Sequence, residues 1–99
     1  SKVADLVREL ENWGVRVVVD DPWANPQEVM HEYGISLGRI DARNPVDSLI
    51  VAVGHAEFRK ENVQELKALC RGDKPVLGDL KSLYDRHAAA AAGFTVFRL

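Results

Sequence analysis

Val15-Arg16-Val17-Val18-Val19 is a run dominated by β-branched residues that stops at Asp20-Asp21 and is closed by Pro22. Branching at Cβ stiffens χ1 and favours the pleated backbone, and a near-continuous apolar run suits a strand covered on both faces. Proline lacks the N–H that a central strand needs, so the run cannot continue past Asp21. The pattern predicts a buried parallel strand whose carboxyl end opens into a polar turn. In open α/β sheets that is the end at which ligands bind.

The rest of the chain is consistent with one such layered domain. Its 99 residues suffice for a single modest core. A balance of 13 basic and 15 acidic residues gives a net charge of −2, which provides no general attraction to nucleic acid or to an anionic membrane. No apolar run reaches the length of a membrane span, and Ser1-Lys2-Val3 leads directly into a helical pattern. The one cysteine excludes an internal disulfide and a cysteine-based zinc site. A reducing, cytoplasmic setting is the expectation.

Periodicity orders the elements. Val3, Leu6, Val7, Leu10 and Trp13 follow helical spacing with Gly14 at the stop, which packs Trp13 under the first helix. Asn25-Pro26 reads as an N-cap with proline in the first helical position, followed by Val29, Met30 and Tyr33 and stopped by Gly34. Ile35 to Ile40 reads as a short edge strand and Asp41 to Pro45 as a polar connector. Ser48 to Val53 is a second buried-type strand ending at Gly54-His55. Val63, Leu66, Leu69 and Cys70 mark a helix stopped by Gly72, with Cys70 a buried core thiol among leucines. Pro75 to Gly78 forms a short strand ending at Asp79-Leu80-Lys81. Leu83, Tyr84, Ala88 and Ala91 line a last helix stopped by Gly93, and Phe94 to Phe97 is the closing strand. This order calls for a mainly parallel, three-layer α/β sheet of Rossmann-like type.

Three strand ends carry candidate chemistry: Asp20-Asp21, His55 with Glu57, and Asp79 with Lys81. Right-handed crossovers would bring them to one sheet edge, where a phosphorylated ligand is favoured. Each has a plainer alternative. Asp21 before Pro22 suits a turn residue accepting backbone N–H groups. His55 can cap or pack as well as titrate. Lys81 can be a solvated residue, although an ammonium near a helix start hints at an anion. Trp23 lies in the turn as a candidate exposed contact, and Arg98 beside the last strand end is by default a surface charge. His31 and His87 lack ligand spacing, so no metal site is expected. No glycine-rich dinucleotide fingerprint, Walker loop, nucleophile elbow or His-Glu-x-x-His is present. No catalytic residue is assigned.

The acidic pair and Lys81 partly imitate a phosphoacceptor receiver domain of two-component signalling, the alternative reading. The central strand there ends in aspartate, whereas this one ends in Gly54-His55. A second resemblance runs the length of the chain. Leu6-Val7-Arg8-Glu9-Leu10, Gly14-Val15, Asp21-Pro22-Trp23-Ala24, Glu32-Tyr33-Gly34-Ile35, Ala52-Val53-Gly54-His55-Ala56-Glu57-Phe58, Asp79-Leu80-Lys81 and Phe97-Arg98-Leu99 fall in order and spacing. Together they resemble the C-terminal, UDP-binding domain of UDP-glucose/GDP-mannose-type dehydrogenases, nearest the branch that acts on UDP-N-acetylhexosamines.

That resemblance implies an NAD-dependent oxidoreductase of polysaccharide biosynthesis, which oxidises a nucleotide sugar's primary alcohol to a carboxylate through a thioester on a cysteine. NAD is held mainly by an N-terminal domain, and the domain seen here contributes to the UDP-sugar site. Lys81 and Asp79 become the nucleotide-sugar-binding candidates, with His55 and Arg98 as further candidates. The partners implied are a UDP-sugar, the remaining domains of the parent enzyme and a second copy in a homo-oligomer. Residues 1–99 then form an N-terminally truncated domain, catalytically inert by itself. It lacks the family's first strand, with its Phe-Lys loop and Asp-x-Arg motif, and Cys70 does not match the family's nucleophile. Ser82 stands where glycine is usual, and Gly78 where a bulky apolar residue is usual. Without the first strand, Val15–Val19 and Ser48–Val53 must pair directly or leave open edges that invite another chain.

Overall fold

The computed structural model describes residues 2–53 and 61–99, which divide into two compact units, 1–40 and 41–99. The first unit holds helices α1 (Lys2–Asn12) and α2 (Pro26–Tyr33). Ala4 and Val7 are its buried residues, on the apolar stripe of α1. Asn25 caps α2 as its spacing predicts, the side-chain oxygen accepting from the N–H groups of Gln27 (2.9 Å) and Glu28 (3.1 Å). Arg8 of α1 ties the two helices by donating to the Tyr33 carbonyl at 2.6 Å. Gly14, Gly34 and Gly93, read as stops, follow their helices with the positive φ such stops need, whereas Gly72 has positive φ but lies five residues past the end of its helix at Lys67.

The Val15–Val19 run departs from expectation. It joins a ladder only at Val19, in an isolated parallel bridge to Leu37, and Ile35–Ile40 likewise forms no continuous strand. Val15 and Val18 are exposed rather than buried. A strand is stable through its neighbours, and here a single bridged position supplies the pairing. Gly38 shows how close that approach is. Its N–H donates to the Val19 carbonyl at 2.8 Å, and a Cβ there would lie 3.1 Å from Val18. Trp13 also differs: it is 74% exposed, and its indole N–H donates to Glu9 at 3.1 Å instead of packing under α1. An indole N–H requires a partner, and Glu9 one turn earlier supplies it at the helix surface.

The second unit runs β1 (Ser48–Val51), α3 (Val63–Lys67), β2 (Val76–Asp79), α4 (Arg86–Ala91) and β3 (Thr95–Arg98). Its sheet is parallel throughout in the order β1-β2-β3, so the chain is α/β with a Rossmann-like layer. A strand order that advances in one direction, with right-handed crossovers, sets both helices on the same face. Burial follows that face. Leu49 and Leu77 turn into the core with Val63, Leu66, Ala89 and Phe94, whereas Ile50, Val76 and Phe97 on the opposite face are exposed.

Two boundaries shift. Cys70 lies beyond α3, half-buried in a bridge with Val46, rather than on the inner face of the helix. The last helix starts at Arg86, not around Leu83, because Asp85 caps it by accepting from the Ala88 N–H at 2.8 Å. Leu83 and Tyr84 belong to the preceding turn, where their amides are held by another side chain.

Candidate functional site

That side chain is Asp79, the last residue of β2 and 1% exposed. A carboxylate so enclosed must replace its water with fixed donors. One oxygen accepts from the Leu83 N–H at 3.0 Å, and the other from the Tyr84 N–H at 2.8 Å. Its own carbonyl accepts from the Ser82 N–H at 3.4 Å, and the Leu80 N–H donates to Val51 of β1 at 3.0 Å. The turn after β2 is thus pinned to β1 and β2, and it carries exposed Lys81 at the carboxyl end of the sheet. Arg98 joins it there, holding the position on β3 in register with Asp79.

Ser82 is the one non-glycine residue with positive φ among those described, at 52°. A backbone that favours glycine accounts for the glycine the resemblance expects at this position. Behind the turn, Tyr84 is buried, and its phenol is pushed up to about 12. Loss of solvent is the main cause, reinforced by the negative charges of Glu61, Asp79 and Glu65. Tyr84 carries no sequence signal beyond its helical spacing, and its place behind the turn emerges only from the fold.

His55 and Glu57 lie outside the described residues. Asp20 and Asp21 both hold backbone: Asp20 accepts from the Ile40 N–H at 3.0 Å, and Asp21 from the Trp23 N–H at 3.0 Å. Asp21 is therefore the turn residue that Pro22 announces, and Trp23 stands 61% exposed beside it. Burial pushes the Cys70 thiol up, Lys67 partly opposing, and its Sγ lies 3.7 Å from the Leu66 carbonyl. A nucleophilic cysteine needs the opposite shift. Among the described residues no three His, Cys, Asp or Glu side chains gather as a metal site, and no helix is long and apolar enough to cross a membrane.

An ammonium on a rigid turn at the carboxyl end of parallel strands is suited to an anionic group such as a diphosphate. Comparison with known proteins gives that geometry a context. Residues 1–86 match the UDP-binding domain of the UDP-glucose/GDP-mannose dehydrogenase family. A UDP-N-acetyl-D-glucosamine 6-dehydrogenase of Pseudomonas aeruginosa is 39% identical over 85 residues, covering 86% of this chain and 20% of that protein. The enzyme of the same name from Salmonella typhi is 36% identical over 81 residues, covering 82% of this chain and 19% of that protein. The chain thus spans about a fifth of the length of these curated relatives. No solved structure matches it.

Proposed function

Because the chain belongs to the UDP-glucose/GDP-mannose dehydrogenase family, as its UDP-binding domain, we propose that it supplies part of the nucleotide-sugar site of a UDP-sugar 6-dehydrogenase. The observation that carries this reading is Lys81, exposed on a turn anchored at the carboxyl ends of β1 and β2, with Arg98 on β3 in register with Asp79. Two cations at one end of a parallel sheet would meet the two phosphates of UDP, Lys81 as a mobile point charge and Arg98 as a planar fork. Asp79 serves the same site through the turn it holds. His55 is a further candidate.

The reaction proposed for the parent protein is oxidation of a UDP-N-acetylhexosamine at its primary alcohol, in the service of polysaccharide synthesis. NAD would accept the hydride there. The residues present do not fit a dinucleotide cradle: the turn after β2 has no glycine-rich stretch, and its amides already serve Asp79. NAD would therefore be held by other parts of the parent enzyme. Cys70, its thiol pushed up by burial, is unsuited to carry a thioester. By itself the chain would bind but not oxidise, in a cytoplasmic setting and within a homo-oligomeric parent.

Titration of the chain with UDP, followed by calorimetry, tests the reading. Wild type should bind, and Lys81→Ala should weaken binding by about tenfold or more, in keeping with loss of a charge-assisted contact. Equal affinity of the two proteins would refute it. Incubation with NAD and a UDP-N-acetylhexosamine should leave NAD unreduced, and turnover by the chain itself would contradict the division of labour proposed here.

A further inference from the structure

We propose that Asp79 and the left-handed backbone of Ser82 are positioning residues, which preset the turn that presents Lys81 to the diphosphate. The inference rests on the reading of Lys81 above. Three successive amides, those of Ser82, Leu83 and Tyr84, converge on one residue, Asp79. Converging amides of this kind form an anion-binding nest. Here Asp79, 1% exposed, fills the nest itself: its carboxylate accepts from Leu83 and Tyr84, and its main-chain carbonyl from Ser82. An anion arriving at this turn therefore finds the Lys81 ammonium rather than these three amides.

The geometry is strained where it reverses. For the Leu83 and Tyr84 amides to reach the Asp79 oxygens, Ser82 takes φ of 52°, a conformation disfavoured for a residue with a Cβ. The carboxylate is what holds it there. Were that hold lost, Ser82 would relax towards negative φ and the turn would open. Lys81 would then have to be ordered during binding, at the expense of affinity.

Substitution at Ser82, which is exposed and outside the core, tests this without disturbing the fold. The probes are UDP titration and exchange of the Leu83 and Tyr84 amide protons. Both amides should exchange slowly in wild type. Ser82→Val, whose β-branch resists positive φ, should speed their exchange and weaken UDP by about tenfold. Ser82→Gly should keep affinity within about twofold of wild type. Asp79→Asn, which sets an NH2 group against one of the two amides, should lower affinity in step with the loss of exchange protection. Unprotected amides in wild type would overturn the proposal. So would Ser82→Val binding as tightly as wild type while Lys81→Ala does not, or equal losses in Ser82→Val and Ser82→Gly. If Lys81→Ala itself binds like wild type, the functional reading fails and this inference fails with it.

Discussion

Five of the described aspartates hold backbone. Asp20, Asp21, Asp41, Asp79 and Asp85 each accept from main-chain N–H groups, the short side chain being the right length to close a turn or cap a helix. Asp79 differs from the rest in being fully buried, where Asp20, Asp21 and Asp41 are half-buried and Asp85 is exposed. Cys70 shows the same dominance of local geometry over residue type. Its thiol, raised by burial and directed at the Leu66 carbonyl, should be alkylated by iodoacetamide much more slowly in the folded chain than in urea at the same pH. Equal rates, followed by mass spectrometry, would show that the thiol is open to solvent.

At the scale of elements, the Asn25 cap and the Gly14, Gly34 and Gly93 stops were readable and the other helix starts less so. Asn25-Pro26 and the stop glycines carry their backbone preferences in the residue itself. The start of α4 was not readable, because Leu83 and Tyr84 have helical spacing and only the buried Asp79, four and five residues earlier, withdraws their amides from a helix. Gly78 is the weak point of β2. A Cβ there would meet Ile50 at 3.4 Å and nothing closer, an ordinary contact, and Ile50 is itself exposed. Gly78→Ala should therefore stabilise the chain by about 0.4–1 kcal/mol, through lower entropy of the unfolded state. Urea denaturation would register this as a higher midpoint at unchanged slope; a lower midpoint would show that the position needs its glycine.

For the molecule as a whole, Tyr84 sets an alkaline limit. Its folded-state value, raised from 10 to about 12, means that the unfolded chain releases its proton first as pH rises. The stabilisation is complete below pH 10 and is lost between 10 and about 12. Urea midpoints measured across that window should fall more steeply for wild type than for Tyr84→Phe, which has no phenolic proton to release. Parallel curves would remove Tyr84 as the cause.

The sequence by itself determined the class of fold, the order of the helices and of the strands of the sheet, the Asn25 cap and the Gly14, Gly34 and Gly93 stops, and the family, because these rest on local preferences and on motifs in register. It also placed Lys81 and Asp79 at a strand's carboxyl end, since Pro75 to Gly78 reads as a strand from its neighbours alone. The pairing of the Val15–Val19 run, the exposure of Trp13 and the division of labour between Asp79 and Lys81 were decided only in three dimensions. A β-branched run states a preference for extension but not the presence of a partner strand. An Asp-x-Lys segment likewise states two charges, and burial makes one of them the anchor of its turn and leaves the other exposed.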